Sequence, residues 1–300
     1  MKINRERIVI VMGQKDLREK LLEDYEDVFS DIFNVLVFRD NVIRQQYLRT
    51  SATESVYKSE TKEYRGQYRD VLKEYTDNCF LEIGSFGIEN QSMLDDYISV
   101  RVMGYDYAKY RSQIDRNNYP LLPVITIVLN FSNKPWKETK SLHSIMKISD
   151  EFKSYVSDYK VMVFDIAFLE DEVIEQFTSD FKVVAKFFKN RRLGKQDLFE
   201  NDEVNHIEEV IDFLAVFTDD KRYKKIKSKI RKIKRKGRSV KMCEVAQALE
   251  EKGIKKGIRK ERIRTIKRML LKGYSKENIL GLDYTEEEYD KAERKIKQLA

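Results

Sequence analysis

The spacing of apolar residues divides the first 217 positions into segments with a helical period and segments with a strand pattern. In residues 15–38 apolar side chains recur at steps of three and four, the spacing of one face of a helix. The same analysis predicts strands near 54–57 and over 68–73, 79–89, 122–131 and 160–168, and helices over 94–111, 170–191 and 200–217.

Residues 122–131 are nearly continuous in apolar and β-branched side chains, a pattern typical of a central strand buried on both faces. The predicted order begins with helix, strand, strand, strand, helix and strand, and only helices follow the last strand, which places a boundary near Gly194. We therefore predict an α/β core with a mixed central sheet flanked by helices over 1–194, and an all-helical region over 195–300.

Polar side chains stand at the ends of two predicted strands. Asp70 is the acid of the segment 68–72, and the two-residue period of a strand places Glu89 and Gln91 on one face of the next. If Asp70 lies on the neighbouring strand, two carboxylates and an amide converge, which is a minimal oxygen-rich site for a hydrated divalent cation such as Mg²⁺. The alternative is that these are solvated side chains at the rim of the sheet.

Other common reactive groups are sparse. The two cysteines, Cys79 and Cys243, and the two histidines, His143 and His206, are isolated from one another in the chain, which argues against a zinc site or a Cys/His nucleophile. No disulfide framework, signal peptide or apolar run of about 20 residues is visible. We therefore expect a cytoplasmic protein without a membrane partner or an organic cofactor.

The net charge of +7 conceals a strongly basic segment. Residues 221–241 contain 13 Lys and Arg and no acid, and the basic character extends to 272. Such a segment is typical of a polyanion binder. A solvated helix and a membrane-surface helix are the alternatives. The residues that we predict to contact nucleic-acid phosphates are Lys224, Lys225, Lys229, Arg231, Lys232, Lys234 and Arg235. No base-reading motif accompanies them, so low sequence specificity is expected.

These elements and strings together resemble the recombination-promoting nuclease (Rpn) or transposase family of the PD-(D/E)XK nuclease superfamily. The resemblance covers roughly residues 15–260. The segments that carry it are Asp24–Asn34, Tyr68–Leu72, Gly87–Gln91, Val100–Asp106, Tyr119–Leu129, Trp136 and Lys252–Ile258.

The resemblance implies a restriction-endonuclease-like core and Mg²⁺-dependent DNA cleavage, with Mn²⁺ as a possible substitute. It makes Asp70 and Glu89 the metal ligands and puts Gln91 in the position of the superfamily's lysine. It also suggests Asp31 as a further metal-positioning acid and Arg101 as a cation facing the site. It implies DNA as the partner, a nucleoid association when DNA is bound, and a role in DNA recombination.

The glutamine marks a departure from the superfamily. A lysine ammonium supplies positive charge to the transition state, whereas the Gln91 amide can only orient groups by hydrogen bonds. The sequence therefore leaves a second hypothesis open: a weakly active or inactive DNA-binding or oligomerising module of a mobile element. Homodimers and larger homo-oligomers are compatible with either hypothesis.

Overall fold

A computed structural model describes residues 22–51, 53–58, 64–78, 81–137, 140–195, 203–218, 222–223, 226–227, 230 and 241–297. The chain forms two compact units, residues 1–242 and 243–300. The strands are β1 (Leu48–Thr50), β2 (Glu54–Lys58), β3 (Tyr64–Tyr68), β4 (Val71–Thr76), β5 (Glu82–Gln91), β6 (Val124–Asn130) and β7 (Met162–Asp165). The α-helices are α1 (Glu26–Phe33), α2 (Ile98–Asp115), α3 (Asp150–Lys153), α4 (Asp171–Gln176), α5 (Phe181–Arg192), α6 (Ile207–Thr218), α7 (Met242–Leu271), α8 (Lys276–Leu280) and α9 (Glu286–Lys297).

The first unit contains a mixed five-stranded sheet in the order β1-β4-β5-β6-β7. The pairs β1–β4 and β4–β5 are antiparallel, whereas β5–β6 and β6–β7 are parallel. β2 and β3 form a separate antiparallel pair. The predicted α/β fold with a mixed central sheet and a helical C-terminal region is confirmed.

The central strand β6 has the burial that its composition predicts. Ile127, Val128 and Leu129 are fully buried, because helices cover both faces of the sheet. On one face, Phe33 of α1 packs against Phe86 of β5 with ring centroids 5.2 Å apart. On the other face, Val128 joins an apolar cluster with Ile98 and Val102 of α2 and with Trp136 and Val161.

The predicted strand over 68–73 is interrupted. β3 ends at Tyr68 and β4 begins at Val71, so Arg69 and Asp70 lie between two strands that pair with different partners. Asp70 thus stands at a bend immediately before β4. The interruption leaves Arg69 and Asp70 outside the regular ladder between β4 and β5.

The sequence predicts a boundary between core and helical region near Gly194, and the boundary between the two compact units of the structure follows Met242. Helix α6 belongs to the first unit, because Phe213 packs against Phe131 at the end of β6 and against Phe188 of α5. The apolar face of α6 thus completes the core of the sheet domain.

The second unit is a small helical assembly of its own. Ile263 and Ile266 of α7, Ile279 of α8 and Ala292 of α9 form its buried cluster. Hydroxyl side chains start the two terminal helices: the Ser275 hydroxyl accepts a bond from the Asn278 backbone N–H, and Thr285 exchanges bonds with Glu288 in a capping box.

Among the described residues, none of the helices combines the length and the hydropathy that a membrane span requires.

Candidate active site

Asp70 and Glu89 come together because of the register between β4 and β5. Val71 pairs with Ile88 in this antiparallel ladder, so Asp70, one residue earlier, lies beside Glu89, one residue later. The backbone N–H of Asn90 donates to Oδ2 of Asp70 at 2.6 Å. Both acids are buried, with exposures of 6% and 4%. The two carboxylates singled out in the sequence are therefore neighbours inside the protein.

Gln91 and Arg101 both contact Glu89. The Gln91 side-chain amide donates to Glu89 Oε1 at 3.1 Å, as the shared face of a strand requires. Arg101, in the first turn of α2, donates to the same oxygen through Nη2 at 2.6 Å and lies 3.3 Å from the carboxylate of Asp95 through Nη1. Gln91 and Arg101 are thus both bonded to Glu89, and Asp70 is bonded to the N–H of Asn90, the residue between Glu89 and Gln91.

The electrostatic environment of α2 reflects this acidic group. Burial lowers the pKa of Arg101, but the charges of Glu89, Asp95 and Asp70 outweigh that effect and raise it overall. For Tyr105 burial acts in the other direction and raises the pKa, and the negative charges of Glu89 and Asp70 raise it further. Arg101 therefore stays a cation and Tyr105 stays a protonated phenol beside the two carboxylates.

A third acid, Glu23, lies beside the group. The side-chain amide of Asn90 donates to Glu23 Oε2 at 2.5 Å, and Glu23 is fully buried. Burial raises its pKa well above the ordinary value; the Asn90 bond opposes this effect, and the charge of Asp70 adds to it. Sequence analysis missed Glu23, and the helical pattern over 15–38 gives no local signal that this acid faces Asn90.

Asp31 has a different set of contacts. Its carboxylate accepts bonds from the backbone N–H groups of Thr178 and Ser179, at 3.0 and 2.8 Å, and from the Thr178 hydroxyl at 3.1 Å. These donors precede α5, so Asp31 ties α1 to that turn. These bonds place Asp31 at this turn, whereas Asp70 is bonded to the Asn90 N–H.

Lys73 lies on the other face of β4 from Asp70. Its ammonium is fully buried and donates to the Asp24 carbonyl at 2.7 Å, with Glu26 and Thr50 each at 3.3 Å. This lysine therefore connects α1 to the sheet. Arg101, by contrast, contacts Glu89 of the acidic group directly.

The predicted phosphate-binding lysines and arginines between Lys224 and Arg235 lie outside the described residues. Their role in nucleic-acid binding stays a prediction.

The donor set is compatible with a hard cation. Buried oxygens of Asp70 and Glu89 are suitable ligands for Mg²⁺, which is commonly held by one or two carboxylates and completes its shell with water and phosphate oxygens. Oε1 of Glu23 and Oδ1 of Asn90 are also buried, and no hydrogen bond to either is found among the described residues. Within the same residues, no cluster of three or more Asp, Glu, His or Cys qualifies as an all-protein metal cage.

The fold and these residues describe a mixed α/β domain with a buried acidic group at the edge of two central strands. Residues 85–222, just under half of the chain, match the family described as "Putative transposase, YhgA-like". The resemblance to the Rpn and transposase family is thereby confirmed over these residues, and the match supports a transposase-related role. Glu89, Gln91 and Arg101 lie inside the matched range, whereas Asp70 lies before it. No curated protein and no solved structure matches the chain.

Proposed function

We propose that this protein is a Mg²⁺-dependent DNA endonuclease that hydrolyses phosphodiester bonds with low sequence specificity. The observation that carries the proposal is the burial of Asp70, just before β4, beside Glu89 on the adjacent strand β5, with Glu89 inside the transposase-related match. Two buried carboxylates repel each other, so such a pair persists most readily where a cation or a proton offsets the charge.

Asp70 and Glu89 would hold the Mg²⁺, or Mn²⁺ in its place. When bound, such an ion polarises a phosphate oxygen and lowers the pKa of a water molecule. The Asn90 N–H fixes the orientation of the Asp70 carboxylate before any substrate arrives. This preorganisation is a contribution that the chain makes by itself.

Arg101 and Gln91 divide the task that a lysine performs in the wider superfamily. Arg101 supplies a positive charge that is two-thirds buried, and this charge can stabilise negative charge that develops on a phosphate. Gln91 supplies a side-chain amide whose bond to Glu89 sets its orientation, and its carbonyl oxygen can accept a bond from a water molecule. Glu23 adds a third acid behind Asp70 and Asn90.

One observation favours the second candidate, a DNA-binding module without cleavage activity. Arg101 lies 2.6 Å from Glu89, so an internal ion pair already offsets the charge of one proposed ligand. If this ion pair persists in the presence of Mg²⁺, Glu89 has a structural role, and the protein binds DNA without cleaving it.

A plasmid-nicking assay separates the two candidates. Supercoiled DNA is incubated with the full-length protein in Mg²⁺ or in EDTA, and the test is repeated with Asp70→Asn and Glu89→Gln. The endonuclease proposal predicts nicking in Mg²⁺ only, reduced by at least about 10²-fold in each variant. Asp96→Asn, which changes an exposed acid near the site, is the matched control and retains the activity. The endonuclease proposal is refuted if nicking persists in both site variants or if the wild type does not nick the plasmid.

A further inference from the structure

The cations of helix α7 fall into two sets with different surroundings. Arg259 and Arg262 face α9: Arg259 lies 2.6 Å from Glu287, and Nε of Arg262 lies 2.9 Å from Glu288. The Arg262 guanidinium also lies 4.6 Å from the centre of the Tyr284 ring. This set holds the small helical unit together.

The second set covers the opposite side and one flank of the same helix. At 3.6 residues per turn, Arg264, Arg268 and Lys272 point away from the buried Ile263 and Ile266, and Lys260 and Lys267 lie on the adjoining flank. We call these five cations the α7 basic stripe.

The α7 basic stripe is almost without acidic partners. Arg264 has Glu261 at 3.8 Å, an exposed pair of the kind that contributes little. For the other four cations, no ion pair with an acid is found among the described residues. Like charges three and four residues apart repel each other and destabilise a helix. A polyanion bound to the stripe would neutralise these charges and remove the repulsion.

Charge is distributed unevenly within the unit. Residues 258–272 contain seven Lys or Arg and one acid, whereas residues 276–297 contain five Lys or Arg and seven Asp or Glu. The acids of α9 are used to pair with the inward cations of α7, as Glu287 and Glu288 illustrate. The outward side of α7 is therefore left with a concentrated positive charge.

We propose that the α7 basic stripe is a nucleic-acid-binding surface that contacts backbone phosphates of DNA without reading sequence. The stripe spans 12 helical steps, or about 18 Å. Duplex DNA carries one charge per about 1.7 Å of its axis, so a duplex segment of that length carries roughly ten phosphates, twice the number of cations in the stripe. This surface lies outside the transposase-related match, and its binding role does not depend on cleavage.

A membrane surface is the less suitable partner. Helices that bind at a membrane interface insert an apolar face, but the apolar face of α7 is occupied by Ile279 and Ala292 of its own unit. Leu271 is the exposed large apolar residue within the stripe, and one such side chain offers little area for insertion.

The test measures DNA affinity of the full-length protein across a salt series, in EDTA and on an Asp70→Asn background so that cleavage cannot interfere. The probe is a 30-bp duplex with a fluorescent end label, followed by anisotropy. Arg264→Gln/Arg268→Gln removes two stripe charges. Arg294→Gln/Lys295→Gln removes two exposed charges from α9 and is the matched control.

The proposal expects the stripe variant to bind more weakly and to lower the slope of log affinity against log salt by about two, since each neutralised phosphate contributes about 0.9. The control keeps the wild-type slope. Arg264→Lys/Arg268→Lys keeps the charge and retains binding, which excludes misfolding as the cause. Three results would overturn the proposal. They are an unchanged slope in the stripe variant, an equal loss of DNA affinity in the control, and a stripe variant that loses binding to anionic vesicles but keeps its DNA affinity. This test of DNA binding is independent of the plasmid assay, so an absence of nicking there would not contradict the proposed role of the stripe.

Discussion

The guanidinium of Arg69 occupies the space in which a side chain on Gly87 would lie. A Cβ atom at Gly87 would be 2.7 Å from both Cδ and Nη1 of Arg69, which is closer than real contacts allow. Arg69 crosses above β5 at this point to reach Asp106 of α2 at 2.6 Å. Asp106 also accepts bonds from Tyr159 and, at 2.5 Å, from Thr126, the β6 residue paired with Gly87. A buried polar connection thus spans the central strands next to the acidic site.

The first prediction concerns this close approach. Gly87→Ala should displace Arg69 and lower the free energy of unfolding by about 1–3 kcal/mol, the usual cost of overpacking. Gly84→Ala on the same strand is the control, because its Cβ would meet neighbours at ordinary contact distances of 3.4–3.6 Å. Urea unfolding of both variants checks the prediction, and equal stabilities would contradict it.

The second prediction concerns the buried ion pair of Arg69 and Asp106. Asp106→Asn leaves the Arg69 charge uncompensated, and we expect a loss of about 3–5 kcal/mol in unfolding free energy. Nε and Nη1 of Arg69 already have no hydrogen-bond partner among the described residues, which makes that charge more dependent on Asp106. The double variant Arg69→Met/Asp106→Asn should lose less than the sum of the single variants. Additive losses in the double-mutant cycle would show that the two charges are not coupled.

The third prediction is a pH dependence at Glu23. Its pKa in the folded protein is raised above the ordinary value of 4.5, chiefly by burial. A raised folded pKa gives stability that is fully present below the unfolded pKa and is lost as the pH rises through the folded pKa. Metal-free wild type should therefore lose stability relative to Glu23→Gln as the pH rises above the ordinary pKa of 4.5 and through the raised pKa of the folded protein.

Thermal or urea unfolding of both proteins in EDTA at several pH values measures this difference. Glutamine keeps the shape of the side chain and an acceptor for Asn90. Parallel stability curves for the two proteins would mean that Glu23 does not titrate abnormally.

The fourth prediction separates the two roles of Arg101. If its charge serves catalysis, Arg101→Gln lowers the nicking rate by about 10²-fold. The Mg²⁺ concentration for half-maximal activity should stay the same or fall, because a cation competing for Glu89 is gone. Arg111→Gln on the same helix removes an exposed partner of Asp115 and serves as the control. A variant as active as the wild type would make Arg101 a purely structural partner.

The fifth prediction concerns Asp31, for which the resemblance implies a metal-positioning role. Because its carboxylate accepts bonds from Thr178 and Ser179, Asp31→Asn should cost about 1–2 kcal/mol of stability. The Mg²⁺ dependence of nicking should be unchanged. A shifted Mg²⁺ requirement with unaltered unfolding would support the role that the resemblance implies.

Much of the fold could be predicted from local pattern. The continuous apolar run of β6 and the capping box at Thr285 have the structures that their residue types favour. The shared face of Glu89 and Gln91 follows from the period of a strand. Such features depend on residues within a few positions of one another, so periodicity and hydrogen-bonding chemistry suffice to determine them.

Other contacts of the site residues could not be predicted, because they join side chains that are distant in sequence. The contacts of Glu23 with Asn90 and of Asp31 with Thr178 join residues 67 and 147 positions apart. Nothing local shows which of these two acids faces the site, or that α6 completes the sheet domain. The local pattern is sufficient to predict most of the helices and strands and the type of chemistry that they carry. Packing determined which side chains meet, since burial and long-range contacts select one arrangement among many that the local pattern allows.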